Sequence, residues 1–259
     1  MMKRADNKHN PELEMPVEEH ILELRRRVIY LLILFLVFMV VGFFLADDVV
    51  LYLKKQPVAA QIPWVVLGLT DAFKVYFMFS IAVGFVLTFP FALYQIWAFV
   101  SPGLTPRERR LTLSFIPGAI LLFLVGLAFG YFWLFPFMVQ FMMNLADRLG
   151  AQEMYGMIHY FEFLITFVVP FGFVFQMPVL VLFLTRLQVI TPQLLKRLRK
   201  YAYFVLFVLA AVITPPDVFS HLLVTVPLIG LYEFSILLSR LASPKEAVHS
   251  IKAEGEGHT

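Results

Sequence analysis

The stretch EEHILELRRRVIYLLILFLVFMVVGFFLA, residues 18–46, changes character abruptly. Its first part mixes Glu18, Glu19 and Glu23 with Arg25, Arg26 and Arg27, whereas residues 28–46 carry no charge at all. A helix needs roughly 20 apolar residues to cross the hydrocarbon of a bilayer, so 28–46 suffices for one span. Arginines at the mouth of such a run anchor it to anionic lipid. The glutamates beside them need another reason.

Working outward, the rest of the chain repeats the pattern. Charge-free runs cover 75–98, 111–134 and 163–185, and shorter ones cover 201–213 and 222–238, the last interrupted by Glu233. With 60% hydrophobic and 15% charged residues and a mean hydropathy of +0.81, this is an integral membrane protein. The expected fold class is all-α and polytopic, with six transmembrane helices of which the last two are short. The other reading of those two runs is a re-entrant hairpin with Thr214-Pro215-Pro216-Asp217 at its tip. Pro90, Pro117, Pro170, Pro178 and Pro227 lie in or near the apolar runs, where each removes a backbone hydrogen bond and bends its helix. A bundle of bent helices is concave.

Six spans put 17 of the 21 Lys and Arg on one side, leaving Lys54, Lys55, Lys74 and Arg148 on the other. By the positive-inside rule both termini are expected in the cytoplasm. The pI near 9.1 arises from basic residues in short loops, which favours lipid as partner over nucleic acid. Residues 1–27 are expected to form a cytoplasmic segment with an interfacial amphipathic helix, 28–240 the membrane domain, and 241–259 a disordered tail. No cleavable leader is expected at the N-terminus. The apolar segments 47–73 and 135–160 are expected as amphipathic elements on the outer face.

Chemical signatures are few. There is no cysteine, phosphate-cradling GxxxxGK[ST] loop, HExxH helix or GxSxG elbow, so neither an enzyme nor a cofactor is expected. His20 and Glu23, at i, i+3, make a poor metal site. Asp217 at the external turn reads as a helix cap. Gly126 and Gly130 lie one turn apart and permit close helix packing, within the chain or between copies.

Two carboxylates stand out on the cytoplasmic side. On a helix Glu23 reaches Arg26 and Arg27 at i+3 and i+4, which allows self-pairing; the other reading leaves a carboxylate free for a partner's cation. In SPGLTPRERR, residues 101–110, Thr105-Pro106-Arg107-Glu108 fits a capping box, and again Glu108 either caps its helix or receives a cation. Together, two such sites would grip a dibasic segment.

HILELRRR, QIWAFVSPGLTPRERR, FQMPV and ITPPDVFS, in this order between about Glu18 and Arg240, resemble the signature blocks of the TatC family, the large membrane subunit of the twin-arginine protein translocase. The resemblance implies a glove-shaped, six-span receptor of the bacterial cytoplasmic membrane. Such a receptor binds twin-arginine signal peptides of folded proteins, assembles with single-span TatA and TatB, and draws on the proton gradient. By position, Glu23 and Glu108 match the signal-recognition carboxylates, with Arg25 and Phe99 in the adjoining blocks. Arginine's planar fork pairs with carboxylates in a way lysine cannot reproduce, and a few such bonds separate Arg-Arg from Lys-Lys by an order of magnitude or more. Gln176 stands where the family often has Glu, either tying neighbouring helices or facing a cavity. Glu233 is expected to meet Arg240 or a partner, and Thr214 and Pro215 to border the TatB-contacting surface, near which His221 replaces another polar residue. A secondary solute transporter is the alternative, and it needs a polar midplane site, where Gln176 stands nearly alone.

Overall fold

A computed structural model of the protein describes residues 17–150, 155–215 and 217–242. Of the expected disordered tail 241–259, Leu241 and Ala242 instead end the last helix, and the remainder, like the residues before Val17, lies outside the described part. Ten α-helices follow in order: α1 (Val17–Lys54), α2 (Asp71–Val100), α3 (Pro106–Leu113), α4 (Phe115–Phe129), α5 (Phe135–Arg148), α6 (Met157–Val174), α7 (Met177–Arg186), α8 (Pro192–Arg197), α9 (Arg199–Ile213) and α10 (Val218–Ala242).

Among the described residues, five stretches are long and apolar enough to cross a membrane: α1, α2, α3 through α5, α6 with α7, and α10. The 15-residue α9 is the sixth crossing, about 22 Å long at 1.5 Å per residue. α10, with 25 residues, extends beyond both ends of its apolar run. Its first turn stacks Phe219 on Phe141 of α5 with ring centroids 4.2 Å apart, while near its end Ser239 Oγ meets Thr185 Oγ1 of α7 at 2.8 Å. α10 therefore travels from one face of the bundle to the other, and its start at Val218 lies at the far face, where α9 ends at Ile213. This settles the C-terminal pair as two spans. Both ends of the described chain lie on one face, here called the terminal face.

Two of the five prolines coincide with helix breaks. α3 gives way to α4 at Ser114, just before Pro117, and α6 to α7 at Phe175-Gln176, just before Pro178. In each case the missing N–H would have bonded a carbonyl in the preceding turn. Pro90, Pro170 and Pro227 lie inside continuous helices. Grooves run along α2, against α6 on one stretch and against α4 and α7 on another.

The core is aromatic and centres on α6. Phe161, Leu164, Phe167, Val168 and Phe171 recur at helical spacing and are buried against α2 and α4. Between α4 and α6 the backbones nearly touch. A Cβ on Gly126 would lie 2.6 Å from the Phe171 carbonyl oxygen, and one on Gly172 would lie 2.6 Å from Phe123 Cε2. The small-residue signal in α4 thus serves packing within the chain. Such close approach suits a membrane interior, where packing rather than water exclusion joins helices.

The outer segments differ from separate amphipathic elements. Residues 47–54 complete α1, and α5 continues α4 through a π-helical turn at Gly130–Leu134. Their loops meet where the Met157 amide donates to the Val65 carbonyl at 2.9 Å and Trp64 stacks on Phe161 with centroids 5.4 Å apart.

Candidate functional site

At the terminal face, two helices, α1 and α3, converge on the last turns of α2. Residues 17–27 form the first turns of α1, which then runs unbroken through its apolar part. His20, Glu23 and Arg27, spaced i, i+3 and i+7, share the side of α1 that faces α2. The His20 ring stacks on Phe99 with centroids 4.1 Å apart and 23° between planes. Arg27 donates Nη1–H to Gln95 Oε1 at 2.9 Å and Nη2–H to the Ala98 carbonyl at 3.3 Å. The exposed carbonyls of a helix C-terminus carry partial negative charge, so a guanidinium is favoured there.

The same arginine holds Glu23. Arg27 Nε–H donates to Glu23 Oε1 at 3.1 Å, and its Nη2 closes a second, shorter contact with that oxygen. This guanidinium keeps the Glu23 carboxyl below the usual glutamate range. Oε2 of Glu23 accepts no hydrogen bond among the described residues.

From the other side comes α3. Thr105 is its N-cap in extended conformation, Pro106 follows, and both halves of the capping box are formed. The Thr105 amide and hydroxyl donate to Glu108 Oε2 at 2.9 and 2.7 Å, and the Glu108 amide donates to Thr105 Oγ1 at 3.4 Å. The Thr105 hydroxyl and amide lower the Glu108 carboxyl's pKa. Oε1 of Glu108 is unbonded among the described residues. α3 is fastened to α2 by Trp97, whose Nε1–H donates to Thr112 Oγ1 at 3.0 Å while Arg109 lies 5.8 Å over its ring.

Of the residues expected at this site, Glu23 and Phe99 therefore meet through His20 and Arg27, and Glu108 stands on the helix that clasps the same end of α2. Arg25 is exposed, two residues off the Glu23 face of α1, and makes no ion pair among the described residues. Three participants were missed in the sequence: His20 as a stacking partner, Gln95 as an acceptor for Arg27, and Trp97 as the clasp. The signal for two of them was present, since His20 and Arg27 share a helical face with Glu23, and Gln95 is a lone amide at the end of an apolar run.

The remaining expected residues are dispersed. Gln176 occupies the α6–α7 break, where its own amide turns to the Phe173 carbonyl, and its side chain donates to Ala119 O of α4 at 3.1 Å and Gly172 O at 3.5 Å. It is a tie between spans. Glu233 does not meet Arg240, which lies two turns farther along α10; it pairs with Arg199 and accepts from the Tyr203 hydroxyl at 2.5 Å, both on α9. Thr214 is buried, its hydroxyl donating to Ala210 O at 2.9 Å, and Pro215 lines a small cavity with Met142 and His159. Asp217 caps α10 through Ser220 N–H at 2.7 Å, as its place in the sequence suggests. Among the described residues no three His, Cys, Asp or Glu side chains gather as metal ligands.

Comparison with known proteins agrees with this architecture. The family model described as Sec-independent protein translocase protein (TatC) matches residues 19–227. The chain is 52% identical to the Sec-independent protein translocase protein TatC of Halalkalibacterium halodurans over 90% of its own length and 92% of that protein. It is 50% identical to TatCy of Bacillus subtilis, over 90% of this chain and 91% of the other. A crystal structure of a twin-arginine translocase receptor, TatC, superposes with a TM-score of 0.77 at 35% identity, covering 86% of this chain and 99% of that one. The chain belongs to the TatC family of Sec-independent protein translocase proteins.

Proposed function

We propose that this chain is the receptor and core subunit of a twin-arginine translocase in a bacterial cytoplasmic membrane. Its terminal face is cytoplasmic, and Glu23 and Glu108 receive the paired arginines of client signal peptides. One observation carries the reading: each carboxylate is fixed through one oxygen and leaves the other open, on the two helices that clasp the end of α2. Structural and receptor roles are therefore compatible. Arg27 and Thr105 set the directions of the carboxylates in advance, which reduces the ordering cost of binding. An incoming guanidinium donates to the open oxygens in charge-assisted bonds, beside the negative end of α2.

In this reading the chain does no chemistry of its own, assembles with single-span TatA and TatB, the latter near Thr214 and Pro215, and draws on the proton motive force. A solute transporter finds less support, because the amide of Gln176 is engaged by two backbone carbonyls. The test is binding of a labelled twin-arginine signal peptide to the purified protein. Glu23→Ala with Glu108→Ala should abolish it, and an Arg-Arg to Lys-Lys peptide should bind at least about tenfold more weakly. Equal binding of both peptides to both proteins would refute the assignment.

A further inference from the structure

On the face opposite the termini lies a second recess that the receptor reading does not use. It is a cavity of about 620 Å³ whose polar lining is Asp71 and Lys74 of α2 with His159 and Glu162 of α6. Lys74 and Met78 also line an apolar groove of about 370 Å³, which continues between Phe77, Ile81 and Phe85 of α2 and Ile165, Val169 and Phe173 of α6. A polar chamber thus opens into an apolar furrow. Lys74 and Glu162 each stand one residue outside an apolar run, at the level where lipid headgroups meet hydrocarbon. From Lys74 to Phe85 the groove follows eleven residues of helix, about 16 Å, close to the roughly 15 Å of one leaflet's hydrocarbon.

The charges in the chamber are of both signs. Asp71 is committed to the turn before α2, its Oδ2 accepting from Gly68 N–H at 2.7 Å, with Lys74 Nζ 3.8 Å from its Oδ1. Glu162 is exposed to the chamber and makes no hydrogen bond or ion pair among the described residues. A lysine ammonium pairs with a phosphate, and an unengaged carboxylate pairs with a primary ammonium. We propose that this recess holds one phospholipid with an ethanolamine headgroup from the leaflet opposite the termini. Its phosphate lies at Lys74, its ammonium at Glu162 and an acyl chain in the α2–α6 groove. A choline headgroup offers Glu162 no N–H donor, and a glycerol headgroup offers no cation.

Native mass spectrometry of the purified full chain, delipidated and titrated with POPE, POPG or POPC, tests this. POPE should be retained about tenfold better than POPG or POPC, the worth of one charge-assisted contact. Glu162→Gln should erase that preference while leaving lipid adducts. Ala82→Trp, which fills the groove, should remove the adducts of all three lipids, with Val169→Trp as a second blocking variant if the first does not fold. Equal retention of the three lipids by the unaltered protein, a POPE preference that persists in Glu162→Gln, or adducts indifferent to a folded groove-filling variant would each overturn the proposal.

Discussion

Arg27 links Glu23, four residues before it, to Gln95, 68 residues after it, so that one guanidinium both aims the carboxylate and fastens α1 to the end of α2. Arg27→Lys keeps the charge but cannot reach Glu23, Gln95 and Ala98 together. Binding of a twin-arginine peptide should fall about tenfold in Arg27→Lys, although Arg27 itself receives nothing from the peptide. Fluorescence titration of the purified variant checks this, and unchanged affinity would free Glu23 from its dependence on Arg27.

Glu108 and Thr105 separate capping from recognition. Thr105→Ala removes the N-cap and should lower stability by about 1 kcal/mol. Glu108→Gln retains an oxygen able to accept from the Thr105 amide, so its melting temperature should stay near that of the unaltered protein while peptide affinity drops. A fall in melting temperature without a fall in affinity would reduce Glu108 to a cap.

Both carboxyls are held below the ordinary glutamate value, Glu23 by Arg27 and Glu108 by Thr105. A carboxyl lowered on folding contributes stability above its unfolded pKa of about 4.3, and that contribution is lost as pH falls through the lower folded value. Peptide affinity should therefore be flat between roughly pH 5 and 8 and decline only below about pH 4. Titrations across this range decide, and a midpoint near neutrality would implicate another group.

Gly126→Ala places a methyl 2.6 Å from the Phe171 carbonyl oxygen, a backbone atom that moves only with its helix. Overpacking of this kind costs typically 1–3 kcal/mol, so the thermal unfolding midpoint should fall clearly. Gly118→Ala, where the added carbon meets nothing within 4 Å, is the matched control and should be nearly silent.

Gln176→Leu removes a bond to the Ala119 carbonyl of α4 and one to the Gly172 carbonyl of its own span, and should lower stability by about 1 kcal/mol without weakening peptide binding. A specific loss of peptide affinity would instead extend the binding surface into the groove beside α7.

The sequence by itself determined the class, the four long crossings and the local devices, while the last two short runs were told apart from a re-entrant hairpin only by the contacts at the two ends of α10. Apolar run length is a one-dimensional quantity, and so are the Thr105–Glu108 box and the Asp217 cap, because both partners lie within one helical turn. Only the tertiary structure decided whether a carboxylate was open or taken. Glu23 had Arg26 and Arg27 equally within reach along its helix, and Arg27 was selected because Gln95 and Ala98 of another span engage its remaining donors. Glu233 likewise took Arg199 from α9 rather than Arg240 from its own helix. Such choices depend on which helices pack side by side, which local spacing does not contain.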